Sequence, residues 1–147
     1  MYLVSSCLAG INCRYNGTSS ENEFIIELLK KGEALPICPE QLAGLPIPRP
    51  CCEIVKSDSG ETRVVSCDGV DFTNAFLEGA ARTLRIAKAA DVKVAILKAN
   101  SPSCGRGFIY DGSFSGNLIV GNGLTADILL KNGIRILTEK DIIGQID

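Results

Sequence analysis

The sequence of 147 residues contains no histidine and no tryptophan, and aromatic residues make up only 5% of it. Without histidine there is no group with an unperturbed pKa near neutrality, no His-bearing zinc site and no triad of the Ser-His-Asp kind. A metal must therefore be held by thiolate, carboxylate or amide, and protons must move through Glu, Asp, Lys, Tyr, Cys or Ser. An excess of charge of one sign is also missing: 15 Lys and Arg stand against 17 Asp and Glu, a net charge of −2. That balance argues against a basic nucleic-acid surface. No apolar run reaches the roughly 18 residues of a membrane span. The opening Met1-Tyr2-Leu3-Val4-Ser5 has no basic region before its apolar stretch and reads as a first strand rather than a signal peptide. A cytoplasmic protein without a membrane or a stable nucleic-acid partner is the expectation, with residues 1–147 forming one domain.

What is present is an aliphatic core: 46% of residues are apolar, so Leu, Ile, Val and Ala must do the packing. Leu3–Ser6 reads as a short strand followed by the polar loop 9–17. Glu21–Lys31 is amphipathic, with Phe24, Ile25, Leu28 and Leu29 on one face and Gly32 as its stop. Ala34–Ile37 returns as a second strand, and this strand–helix–strand order favours a parallel crossover. Pro39, Pro46, Pro48 and Pro50 then argue for a stiff, extended surface segment without regular helix. Glu53–Lys56 and Thr62–Val65 suit a hairpin around Asp58-Ser59-Gly60. Thr73 is placed to cap a long helix to Ala90, Val94–Leu97 is an apolar strand, and Ser101–Asn117 is a long loop. A helix over Leu124–Leu130 and a strand over Ile134–Leu137 complete the pattern. The predicted class is α/β: a single-domain Rossmann-like layered fold with a mostly parallel sheet.

Seven cysteines stand at 7, 13, 38, 51, 52, 67 and 104. Their odd number and irregular spacing do not match a disulfide scaffold. Cys51, Cys52 and Cys67 read as small buried apolar residues. Cys7, Cys38 and Cys104 each follow a predicted strand. In a parallel sheet all carboxyl ends open on one edge, where ligands bind, so these three meet in space without a local CxxC motif. Three thiolates without histidine suit an iron–sulfur cluster better than catalytic zinc. Spacing alone also permits core cysteines or a redox dithiol. Cys13 is a possible fourth ligand inside its loop.

The motifs Val4-Ser5-Ser6-Cys7-Leu8-Ala9-Gly10, Cys13-Arg14-Tyr15-Asn16-Gly17, Cys38-Pro39-Glu40-Gln41-Leu42-Ala43-Gly44-Leu45-Pro46 and Pro48-Arg49-Pro50 occur in this order. Ser101-Pro102-Ser103-Cys104-Gly105, Ile109-Tyr110-Asp111-Gly112 and Gly121-Asn122-Gly123-Leu124-Thr125-Ala126 continue it. Together they resemble the thiouracil desulfurase family over nearly the whole chain. The resemblance implies a [4Fe–4S] cluster on Cys7, Cys38 and Cys104 and a non-redox, hydrolase-like removal of sulfur from a thiolated pyrimidine such as 2-thiouracil, giving uracil and sulfide. It also implies that Glu40 and Ser101 take part in the chemistry. The implied partner is a small thiolated nucleobase, and the chain is expected to be a monomer or small homo-oligomer. Asn16 stands where many relatives have Asp. Two alternatives stay open at this point: a desulfurase for another thiolated small molecule, and a structural or sensing protein that holds a cluster or zinc without turnover.

From the residues alone, the preferred reading of Glu40 is a carboxylate bracing a proline-rich turn, and Ser101 before Pro102 suits ordinary turn chemistry. Arg14 and Arg49 suit either a negative group in the site or solvent. Tyr15 suits stacking on a flat ring or filling the core. Gly121-Asn122-Gly123 resembles an anion nest at a helix entry, though a tight turn is the simpler reading.

Overall fold

The computed structural model describes residues 1–142. Four strands form one fully parallel sheet in the order β2-β1-β5-β8. They are β1 (Tyr2–Ser5), β2 (Ala34–Ile37), β5 (Val94–Leu97) and β8 (Arg135–Thr138). Two antiparallel hairpins flank it: β3 (Cys52–Lys56) with β4 (Thr62–Ser66), and β6 (Phe108–Tyr110) with β7 (Leu118–Val120). The helices are α1 (Glu23–Lys30), the four-residue α2 (Pro39–Leu42), α3 (Thr73–Ala89) and α4 (Leu124–Lys131).

Alternation along the short strands builds two cores, one on each face of the sheet. Leu3, Ala95, Leu97 and Ile136 pack with Ala87 of α3 and Leu129 of α4. Val4 and Ile96 pack on the other face with Ile25 and Leu28 of α1. A third, smaller cluster of Ile54, Val64, Phe76 and Ile109 fastens the hairpins to α3. The α/β class and the parallel sheet thus agree with expectation. The strand order adds that the chain reverses direction of travel between β1 and β5, so the switch point lies where those two strands part.

Several local expectations are corrected. The proline-rich segment does contain helix, because Pro39 sits in the first turn of α2, where its missing N–H is not needed. Thr73 does not cap α3 from outside. Its amide donates to Asp71 Oδ1 at 2.8 Å, and its own hydroxyl accepts from Val64 N at 2.9 Å. The long loop after Ser101 contains the hairpin β6–β7, too short for a periodic pattern to reveal.

Close backbone approach explains two glycines. A Cβ on Gly79 of α3 would stand 2.2 Å from Pro39 O, and one on Gly123 would stand 2.4 Å from Ser103 C. Both contacts press a helix against a cysteine-bearing turn.

Candidate active site

Each of the three predicted cysteines leaves a strand of the central sheet. After β1 the chain winds at once into a 3-10 turn, Ser6–Ala9, that ends at Gly10 with φ of 88°. This turn holds Cys7 at the sheet edge, 8% exposed. Cys38 follows β2 as the N-cap residue of α2. Cys104 lies beyond β5 in a turn held by Ser101, whose Oγ accepts from both Ser103 N and Cys104 N at 3.1 Å. The first amides of α4 fasten the same turn: Leu124 N donates to Pro102 O, and Thr125 N and Ala126 N to Ser103 O. The Gly121-Asn122-Gly123 entry is not the tight turn expected: Gly123 is extended, and Gly121 N and Gly123 N are used by the carbonyls of Gly107 and Gly105.

Cys7, Cys38 and Cys104 are buried and line one cavity of about 520 Å³, in which Cys13 joins them. Cys13 meets Cys38 through its backbone, with the Cys38 thiol 3.9 Å from the Cys13 carbonyl oxygen. The same carbonyl accepts from Arg49 Nη2 at 3.0 Å. Cys13 is thus drawn to the site by its loop rather than by a strand end.

The thiols of Cys38, Cys104 and Cys13 are held well toward the protonated form. Hydrogen bonding with Cys13 raises Cys38, and burial and the Glu40 carboxylate add to it. Burial, then the charge of Glu40, pushes Cys104 up to about 12 against the opposing hydroxyls of Ser5 and Ser103. Cys13 is lowered by the neighbouring Cys38 thiol, yet the Cys7 thiol and burial prevail and raise it to about 11. A thiol desolvated beside a carboxylate keeps its proton.

Glu40 lines this cavity from the first turn of α2. Its Oε1 accepts from the Ser103 hydroxyl at 2.8 Å, and its Oε2 lies 3.6 Å from Cys38 Sγ. Ser103 has a single hydroxyl proton, and the short bond to the carboxylate uses it. At 3.0 Å from Ser103 Oγ, Ser101 must then be the donor of their mutual bond. The result is a directed chain, Ser101 to Ser103 to Glu40, that spans the strand ends of β5 and β2. Ser101 thereby combines a turn-holding role with membership of this chain.

Ser103, 1% exposed, and Ser5, 2% exposed, escaped the sequence reading. Ser5 Oγ accepts from Lys98 N at 2.9 Å and meets the Cys104 thiol, so it ties β1 to the start of the Cys104 loop. The repeated serines beside two of the cysteines were the only available signal. Lys98, also missed, lines the cavity and pairs with Glu139 at 2.9 Å.

Arg49 is mainly a brace, for Nη2 and Nη1 bind the carbonyls of Cys13 and Pro46. Tyr15 is no core plug. It is 41% exposed, lines the cavity and carries the Arg14 guanidinium 5.9 Å above its ring. Phe114 and Tyr110 of the β6–β7 unit and Phe76 of α3 add aromatic wall. The largest departure concerns the remaining cysteines. Cys67 is exposed and Cys51 is half-buried, and both line the cavity rather than the core, while the half-buried Cys52 lines the cavity and also packs on the cluster of Ile54, Val64, Phe76 and Ile109. The hairpin β3–β4 turns its ends toward the site, which residue type alone does not reveal.

Residues 2–141 match the 2-thiouracil desulfurase family. The protein YbbK of Bacillus subtilis (strain 168), itself uncharacterized, is 45% identical over 97% of each chain. A solved structure of the [4Fe–4S]-dependent thiouracil desulfidase TudS is similar with a TM-score of 0.87 and 38% identity, covering 97% of this chain and 92% of that one. The chain belongs to the 2-thiouracil desulfurase family and is an enzyme of that family with its Rossmann-like fold.

Proposed function

We propose that this desulfurase-family enzyme, its whole chain acting as one domain, removes the sulfur of a thiolated pyrimidine such as 2-thiouracil, yielding uracil and sulfide. In this reading Cys7, Cys38 and Cys104 carry a [4Fe–4S] cluster. The observation that carries the proposal is the convergence of three thiols, from three different strand ends, on a cavity that also holds a serine-bonded carboxylate.

The donor set fits the cluster. Its thiols are soft ligands, no histidine competes, and Arg14, Arg49 and Lys98 line the same space as counter-charge. Among the described residues no three Cys, Asp or Glu side chains close around a single metal ion. Sulfurs spread around a cavity suit a cluster, which offers each ligand its own iron, whereas zinc draws its sulfurs to about 2.3 Å from one point. Binding requires the raised thiols to give up their protons.

When bound through three thiolates, such a cluster leaves one iron without a protein ligand, a Lewis acid for a thiocarbonyl sulfur. The chain's own residues supply the rest. Tyr15, Phe76, Tyr110 and Phe114 offer apolar walls to a flat ring. Ser103 fixes Glu40 through Oε1, which leaves Oε2 as the atom that takes a proton from the attacking water. Ser101 orients Ser103 and, through its two backbone bonds, keeps the Cys104 turn in place. Proton transfer and thiolate placement are in this way joined through one serine pair.

The test is anaerobic reconstitution followed by measurement of uracil and sulfide released from 2-thiouracil. Stoichiometric formation of both is the expected result. Protein with full iron and sulfide content that releases neither from thiouracils would overturn the substrate assignment.

A further inference from the structure

Two cysteines outside the proposed ligand set stand face to face. The β3–β4 register pairs Cys52 with Ser66, so the next residues outward, Cys51 and Cys67, are opposite one another. Cys67 N donates to Cys51 O at 2.9 Å, which continues the ladder by one residue beyond the Cys52–Ser66 pair. Opposed residues sharing ladder bonds have Cα atoms about 5.5 Å apart, within the 4.4–6.8 Å that a disulfide spans. Cys52, one residue on, projects to the other face of the strand, and its thiol bonds the carbonyl of Pro50 at 3.7 Å.

We propose that Cys51 and Cys67 form a dithiol–disulfide exchange site at the rim of the cavity, reacting with low-molecular-weight disulfides. Cys67 is exposed and meets the reagent first, and the half-buried Cys51 lies across the ladder from it. Burial, and the neighbouring Cys67 thiol, raise the Cys51 thiol, which suits it to the second step rather than the first.

The chemistry balances without any other reactant. The Cys67 thiol loses its proton and attacks one sulfur of a small disulfide RSSR, forming a mixed disulfide and expelling RS⁻. Cys51 then loses its proton and attacks the Cys67 sulfur, expelling the second RS⁻ and closing the Cys51–Cys67 bond. The two protein thiols are oxidised by two electrons, and RSSR is reduced to two RSH. Neither cysteine follows a strand of the central sheet, so the site is independent of the cluster assignment.

The experiment treats the anaerobic, cluster-loaded protein and a Cys7→Ser variant with oxidised glutathione. Free thiols are then capped with N-ethylmaleimide, and linked peptides are mapped by mass spectrometry. A Cys51–Cys67 linkage without retained glutathione is expected in both proteins. Cys51→Ser should instead keep one glutathione on Cys67, because nothing resolves the first adduct. The proposal is overturned by a stable glutathione adduct on wild-type Cys67, by linkage of either residue to another cysteine, or by recovery of both thiols capped while glutathione labels Cys67 in the Cys51→Ser variant. Failure of cluster loading would leave this outcome unchanged, since the Cys7→Ser variant reads the site without the cluster.

Discussion

The floor and the rim of the cavity both carry cysteine, but the chain holds them in different ways. On the floor, Cys7, Cys38 and Cys104 leave strands paired within a four-stranded sheet that is packed on both faces. The rim is made by two-stranded hairpins, where Cys51 and Cys67 close one end of β3–β4 and Phe114 sits in the loop of β6–β7. A two-stranded hairpin is marginal by itself and borrows its order from whatever it packs on. The lesson is a division of labour: groups that must be fixed relative to one another come from the sheet, and groups that meet ligand or solvent come from the hairpins.

That contrast is broken most severely by exchanging cysteines. Cys7→Ser, Cys38→Ser and Cys104→Ser should each abolish stable cluster loading, because no other thiol projects from the same strand end. Cys67→Ser should retain it. Iron and acid-labile sulfide content after anaerobic reconstitution checks both halves, and normal loading in any floor variant removes that residue from the ligand set.

Next in size is Glu40→Gln. The amide keeps the shape of the side chain and an oxygen for the Ser103 hydroxyl, but it takes no proton at neutral pH. Turnover should fall by about 10²–10⁴-fold, the usual contribution of general acid–base catalysis, with cluster absorption retained. The measurement is rate per iron, and equal rates would leave Glu40 as a brace of the Cys38 turn.

Legibility followed the same division. The strands, the long helices and the meeting of three cysteines were readable because apolar runs of period two or 3.6 are imposed by a two-faced core. Ile37 and Cys38, for example, end such a run, and a parallel sheet leaves little choice about where they go. The rim was opaque. Phe108–Tyr110 and Leu118–Val120 are three residues each, too few to establish a period, and the latter is exposed throughout. Cys51 and Cys67 were misplaced to the core because a cysteine's burial depends on which way a hairpin faces. Ser103 was hidden for another reason: its role lies in a bond to Glu40, on a different strand end, that only the assembled sheet creates.

Gly123→Ala probes how tightly the floor is clamped. The added methyl would meet the Ser103 backbone at 2.4 Å, where no flexible side chain can yield. Overpacking of this kind destabilises by about 1–3 kcal/mol. A lower midpoint in urea with reduced iron loading is expected. By contrast, a Cβ at Gly69, beyond β4, meets nothing within 4 Å, although its φ of +86° still strains any side chain there. Gly69→Ala should therefore lose stability without losing iron. If both variants keep full loading, the α4 contact does not position Cys104.

The smallest effect separates the two duties of the serine pair. Ser103→Ala removes the donor to Glu40 Oε1 but leaves the Ser101 Oγ bonds to Ser103 N and Cys104 N, since those use the backbone. The Cys104 turn should persist and iron content should not change. One hydrogen bond to a charged group is worth about 1.5–3 kcal/mol, and a cavity opening partly to solvent lets water replace some of it. A loss of about tenfold in turnover per iron is expected, well below that of Glu40→Gln. Ser101→Ala removes both duties and should lose iron as well as rate. The pair of variants thus distinguishes a carboxylate that needs orienting from a turn that needs holding. Equal iron loss in the two would place Ser103 in the support of Cys104, whose sulfur lies 3.6 Å from its hydroxyl, rather than in the positioning of Glu40.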